Sequence, residues 1–383
     1  MRLPFLISAI VPLCILGCSS SSKAKPAPVR VETAVNDAAR FLAGLEGRPN
    51  GVFHQLEATP EWKTHAAAMN RLWSDFERAY LEPARGFQRR EMEGAIQYSE
   101  TVFYPFSGPD VAFVLTFFPS AKTYILAGLE PPGPVPTPEL YPATHLDKAL
   151  GGLRMAAGEM FGRSFFVTRE MDRQFRGQVA RGLLPAMLML AARLGCDVES
   201  VRHVELTRDG SLLDFRGAER PKAVEIQLRR PGGASAKLYY FSTDLAKGLE
   251  RDPRFLKFVE SFPAPDTFVK SGSFLLHWRM CDRLRAFILE KSRNVLQDDT
   301  GIPYRYFAKA GWEVRLYGEY APPDPPFRRQ YQKDLAAAYE EPGRVKSLGF
   351  SLGYGARKRS TALILASKRT ETAQSGDSRK AHP

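Results

Sequence analysis

The chain has 383 residues, of which 44% are hydrophobic and 11% aromatic. This composition excludes wholesale disorder, and the length allows one large core or two moderate ones. Its 54 Lys+Arg against 42 Asp+Glu leave a net charge of +12 spread along the chain, which favours anionic partners and surfaces without selecting one.

In chain order, Met1 and Arg2 open an apolar run over residues 3–16, broken by Pro4, Ser8 and Pro12 and closing in Ile15-Leu16-Gly17-Cys18. The pattern resembles a bacterial lipobox. That resemblance implies a lipoprotein signal peptide over residues 1–17, cleavage after the small Gly17, and acylation of the Cys18 thiol. An uncleaved anchor and an ordinary signal peptide are the competing readings, although the run is shorter than the ~20 apolar residues of a spanning helix. Ser19 rather than Asp follows the cysteine. By resemblance to lipoprotein sorting signals, this implies the outer membrane, facing periplasm or cell surface. The membrane, through lipidated Cys18, is then the expected partner, with an anionic envelope component as another. After cleavage and acylation, Cys196 and Cys281 remain in an oxidising compartment, as one disulfide or as two separate buried thiols.

Residues 18–35, rich in Ser, Pro and Lys, read as a disordered tether. A single mixed α/β domain is expected over 36–367, and a disordered polar tail over 368–383. Asn36 reads as the N-cap of a helix ending near Gly47, and Thr59-Pro60-Glu61 as a second helix start, with Pro at the first helical position. A third helix is expected over 87–98. The pattern then turns to continuous apolar runs at 102–106, 111–118 and 123–129, read as buried strands, with a short buried helix as the alternative for 111–118. A proline-rich loop, 130–142, leads to helices at 145–161, 169–175 and 182–194. Strands follow at 201–206, 223–229 and 237–241, the last two joined by Pro231-Gly232-Gly233 as a hairpin, and Arg208-Asp209-Gly210 marks another turn. Ser242-Thr243-Asp244 and Asp252-Pro253 read as helix starts. A helix at 281–292, the polar turn 297–301, a run 302–307, a strand 312–320, a helix 330–340 and strands at 348–354 and 361–366 complete the chain. The fold class is therefore α/β or α+β, with a central mixed sheet and flanking helices.

Few motifs carry chemistry. Gly349-Phe350-Ser351-Leu352-Gly353 matches the G-x-S-x-G elbow, but His382 is the one histidine after it, so a strand with small residues is the better reading. Asp299-Thr300-Gly301 occurs once, whereas aspartic-protease chemistry needs two such carboxylates. Six histidines supply no H-E-x-x-H and no paired Cys/His spacing, so neither a metal site nor a cofactor is expected. Nucleic acid is not an expected partner either. The polar residues at strand ends are the candidates: Tyr104, Ser107, Asp110, Glu130, Lys270, His277, Asp298, Asp299 and Arg305. Each has a bland alternative, as a capped turn or a hydrogen-bonded core residue.

The segments YPFSGPD (104–110), TYILAGLEP (123–131), KSGSFLLH (270–277) and LQDDTGIPYRYF (296–307) resemble those of an uncharacterised bacterial family of secreted or lipid-anchored proteins. The resemblance runs over about 36–368 and brings no catalytic residue with it. The expected function is an envelope protein that binds a ligand or envelope partner through loops at the sheet ends. The alternative is an envelope hydrolase using a Ser or Asp with His277.

Overall fold

The computed structural model describes residues 31–165, 182–309 and 311–369. The readings for the signal peptide, Cys18, residues 18–30, the helix at 169–175 and the tail from 370 onward lie outside the described residues.

Continuous apolar runs become strands buried on both faces. The strands are β1 (Thr101–Tyr104), β2 (Thr123–Gly128), β3 (Asp197–Leu206), β4 (Leu212–Asp214), β5 (Ala223–Arg229), β6 (Ser235–Ser242), β7 (Asp266–Val269), β8 (Asn294–Asp298), β9 (Trp312–Gly318), β10 (Val345–Lys346) and β11 (Ala362–Lys368). They form one 11-stranded sheet in the order β10-β9-β11-β8-β7-β1-β2-β6-β5-β3-β4. The central five, β8, β7, β1, β2 and β6, are mutually parallel. On one flank β11 runs antiparallel to β8 and to β9. On the other, β5 is antiparallel to β6 and β3 to both β5 and β4. The fold is thus a mixed α/β arrangement, as the sequence pattern indicated.

Side chains alternate between the two faces, as strand geometry requires. Val102 and Tyr104 of β1, with Tyr124 and Leu126 of β2, join one apolar cluster. Phe103, Ile125 and Ala127 join the other. On the first face pack α1 (Val31–Leu42), α3 (Pro60–Phe76), α4 (Glu82–Phe87), α5 (Val111–Phe117), α6 (Leu146–Arg163) and α7 (Leu184–Arg193), with the short α2 (His54–Glu57) beside α3. On the second pack α8 (Lys247–Arg251), α9 (Arg254–Glu260), α10 (Asp282–Lys291) and α11 (Arg305–Lys309). A last helix, α12 (Lys333–Glu340), covers Leu316 and Ile364 at the β9 end.

Several sequence expectations are corrected. Asn36 lies inside α1, which begins at Val31 within the expected tether, and does not cap it. Its amide instead bonds Asp197 Oδ1 at 3.2 Å and accepts from Val198 N at 2.9 Å, tying α1 to β3. The helix expected over 87–98 ends after a π-helical turn, Gln88–Met92, where Glu93 turns extended. Residues 111–118 take the helical alternative as α5, because Asp110 Oδ1 accepts from Phe113 N at 3.3 Å and caps the first turn. The 348–354 strand is absent: Gly353–Lys358 is a 3₁₀ segment, and the strand at this edge is β10. Lys368 closes β11 and does not begin the tail. Cys196 and Cys281 are free and buried. They belong to the clusters on opposite faces of the sheet, so no disulfide joins them.

The parallel strands also fix where loops converge. From β1 the chain steps to β2 and then β6 on one side, and returns to β7 and β8 on the other. The direction reverses between β1 and β7. In open α/β sheets this switch point, at the carboxyl ends of the strands, opens a crevice.

Candidate functional site

Two tight turns meet at the switch point. After β1 the backbone turns through Phe106 and Gly108, with φ of 59° and 54°, before Asp110 caps α5. After β7 it turns through Ser271, Ser273 and Phe274, with φ of 54°, 51° and 54°. Non-glycine residues rarely hold positive φ, and three in four positions mark a segment whose shape is imposed by its neighbours.

One such neighbour is an ion pair. Lys270 Nζ lies 2.8 Å from Asp110 Oδ2, and both side chains are almost wholly buried. Lys270 also donates to the carbonyl of Ser164 and stands 3.7 Å above the Phe113 ring. Tyr104 donates its hydroxyl to the same Asp110 oxygen at 2.8 Å. Burial lowers the Lys270 pKa, opposed by the Asp110 charge. Burial raises the Tyr104 pKa well above its ordinary value, and Asp110 adds to the rise.

The second neighbour is the loop after β8. Asp298 Oδ2 accepts from Ser271 N at 2.8 Å, while Oδ1 accepts from Thr300 N at 3.0 Å and from the Thr300 hydroxyl. Thr300 Oγ1 in turn accepts from Gly272 N at 2.7 Å. Burial raises the Asp298 pKa against these donors. The third neighbour is Gly353, whose N donates to Ser164 Oγ at 2.8 Å. A Cβ at Gly353 would lie 2.7 Å from Ser271 Oγ and 2.9 Å from Asp298 Oδ2, so the approach needs glycine, as does its φ of 60°.

These contacts wall a cavity of about 270 Å³, slightly below the ~300–1,000 Å³ usual for small-molecule sites. Tyr104, Asp110, Lys270 and Ser271 form its polar base, and Leu129, Leu275 and Met280 form apolar walls. Ser273 Oγ and Tyr354 OH pair at 2.9 Å beside it. Ser271 Oγ is buried and has no hydrogen-bond partner.

The candidates divide. Tyr104, Ser107, Asp110, Glu130 and Lys270 all line this cavity. Ser107 is held by backbone, its hydroxyl 3.2 Å from Ala127 O and 3.1 Å from Ala127 N. Glu130 is half-buried at the end of β2, where its carbonyl accepts from Tyr240 OH at 2.7 Å. Asp298 stands behind the wall as the brace of Ser271. His277, Asp299 and Arg305 are not part of the lining. The His277 ring packs edge-on to Phe274, and burial, then Arg305, lowers its pKa to about 4. Asp299 borders a separate hollow of about 30 Å³ with Asp324 and Lys358. Burial and the Asp298 charge push its carboxyl well above the usual range. Arg305 is exposed, its guanidinium 5.0 Å from the Tyr306 ring.

Ser164, Gly353 and Tyr354 complete the site and were not among the sequence candidates. The one local signal was the glycine density of 349–355; the α6 end at Ser164 carried none. Among the described residues no group of three or more His, Cys, Asp or Glu is placed to hold a metal ion. No helix among them is long and apolar enough to cross a membrane. No protein-family model matches the chain, and comparisons with curated proteins and with solved structures found no match either.

Proposed function

We propose that this is a cell-envelope protein, lipid-anchored through Cys18 at the outer membrane, that binds a small amphipathic molecule in the switch-point crevice. The observation that carries the binding reading is the unpartnered Ser271 hydroxyl, held in a left-handed turn at the base of a cavity with apolar walls. A buried hydroxyl without a partner costs about 1–3 kcal/mol, and a ligand's polar end that shifts the Ser271 turn far enough to bond the hydroxyl recovers that cost. The ligand's apolar body then lies along Leu129, Leu275 and Met280. The doubly wound strand order supports the location but, as fold analogy, supports no particular ligand.

The test uses the neutral fluorophore N-phenyl-1-naphthylamine, whose emission rises in apolar cavities. Emission is expected to rise on adding the protein and to be lost with Ala246→Trp, which fills the cavity from its α8 side. An equal rise with the filled variant, folded by circular dichroism, would place the probe elsewhere and remove the reading.

Hydrolysis is a second reading, and the left-handed Ser271 is the observation in its favour, with the serine in place of His277. The neighbouring N–H groups of Ser271 and Gly272 are already bonded to Asp298 and Thr300, which leaves an oxyanion without those donors. Binding is therefore the better-supported reading. Labelling of Ser271 by a fluorophosphonate, located by peptide mass spectrometry, would reverse that preference.

A further inference from the structure

Six large apolar side chains are exposed among the described residues: Leu129, Met155, Leu213, Trp278, Met280 and Tyr331. Singly exposed apolar residues are ordinary. Three of these are not scattered, because Leu129 and Met280 both line the crevice and Trp278 lies two residues from Met280 on the same pair of 3₁₀ turns, Leu275–His277 and Arg279–Cys281. Their exposures are 67% for Leu129, 50% for Trp278 and 41% for Met280.

Charge accompanies this apolar knuckle. Arg279, between Trp278 and Met280, is exposed, and no hydrogen bond or ion pair holds its side chain among the described residues. Arg283, one helical turn on, is exposed too and bonds the Leu249 carbonyl at 2.6 Å. An indole and a thioether flanking basic side chains on a projecting turn suit the boundary between headgroups and acyl chains. There the ring sits among headgroups and Arg meets anionic lipid.

We infer that the knuckle at 278–283 rests in an anionic lipid surface, so that the crevice mouth opens toward the bilayer. The inference goes with the proposed lipid anchor, which would hold this face near its surface. Twelve residues separate Cys18 from Val31. Fully extended they reach about 40 Å, twice the radius of gyration of about 20 Å expected for a domain of this size, so the tether leaves the domain room to tilt on the bilayer.

The indoles make a direct reporter. Trp62, Trp73 and Trp312 are 5%, 6% and 5% exposed, against 50% for Trp278. The full chain is reconstituted into phosphatidylglycerol-containing vesicles with lipids brominated on the acyl chain. Quenching of tryptophan emission is expected, and Trp278→Phe should abolish it. Arg279→Glu with Arg283→Glu should weaken partition of the unacylated chain onto such vesicles about tenfold or more, with little change on phosphatidylcholine alone.

Trp278 emission that stays unquenched by brominated lipid and open to aqueous iodide would overturn the inference. So would iodide shielding of Trp278 in the absence of vesicles, which would assign the knuckle to a second copy of the chain. The anchor is read separately by mass spectrometry of Cys18. An acylated chain with unquenched Trp278 keeps the anchor and loses the contact; an unacylated chain that is still quenched does the reverse.

Discussion

Replacing Lys270 by Met removes the cation beneath the crevice and leaves Asp110 with Tyr104 OH at 2.8 Å and Phe113 N at 3.3 Å. Both charged partners are 2–3% exposed in their side chains, so water cannot replace the lost ammonium. Breaking a pair buried to this degree costs about 3–5 kcal/mol, most of it from the charge left behind. Asp110→Asn leaves the reverse problem, a buried ammonium facing a neutral amide, and the same range is expected. The double variant Lys270→Met with Asp110→Asn removes both charges of the pair; Asn still caps α5 through Oδ1, and its Nδ2, standing where Oδ2 was, donates to the Tyr104 hydroxyl oxygen in place of accepting from it. It should therefore cost far less than the sum of the singles, with a coupling of about 2 kcal/mol or more. Urea unfolding at pH 7 measures all corners of the cycle. Single variants that each lose under about 1 kcal/mol, with additive effects, would mean that the pair is solvated. The reading of the crevice base would then be wrong.

Gly353→Ala should destabilise by about 1–3 kcal/mol through its positive φ and its contacts with Ser271 Oγ and Asp298 Oδ2. Ser271→Ala in the same chain should recover part of that loss in urea titrations, since one of the two close atoms is gone; no recovery would deny the contact. Alone, Ser271→Ala removes an unsatisfied hydroxyl and should leave the unfolding free energy in urea unchanged or higher, by up to about 1–2 kcal/mol. A loss above about 1 kcal/mol would reveal a structural partner for it. Burial lowers the His65 pKa from 6.5 to about 4, against its bond to the Leu42 carbonyl. The unfolded chain therefore takes up a proton between pH 6.5 and 4 that the folded chain does not. This contribution is intact above pH 6.5 and lost as pH falls toward 4, at up to about 1.4 kcal/mol per pH unit. His65→Gln should flatten the melting-temperature slope across that window, and an unchanged slope would show that His65 is protonated in the fold. Asp266, raised by burial from 3.8 to about 6, works in the opposite sense, gaining stability as pH falls through that range. Asp266→Asn should accordingly steepen the loss.

Local signals reached far into the fold. Thr59-Pro60-Glu61 opens α3, with the Thr59 hydroxyl accepting from Trp62 N at 3.3 Å, because capping is decided within four residues. The strand read at 223–229 is β5 itself, and Pro231-Gly232-Gly233 turns it into β6, because a hairpin register follows from its turn. Residues 111–117 were ambiguous for a physical reason: every one is buried, so no face is marked polar and periodicity has nothing to register. Asp110, a good N-cap residue, was the informative position. The sheet order was beyond reach, since the pairing of Phe103 with Thr267 depends on which distant segments meet, and nothing local to either segment names its partner.

The same distinction explains the site. Four of its segments brace the polar base: the turn after β1, the turn after β7, the loop after β8 and the 3₁₀ segment at Gly353. The first three read as turns or strand ends when taken singly, and the last reads as a strand. Their chemistry exists in pairs: Lys270 is a solvated surface lysine unless Asp110 faces it, and Ser271 is an ordinary turn serine unless Gly353 and Asp298 hold it. The G-x-S-x-G match at 349–353 shows how a motif misleads here. Its central Ser351 has no part in the crevice lining, whereas its last glycine is the one that matters. A side chain at Gly353 would strike the serine of a different segment. The constraint on Gly353 is therefore set by space across the sheet end and not by the spacing of the pattern it completes. A substitution scan should find Gly353 less tolerant than Ser351, although the motif ranks them the other way.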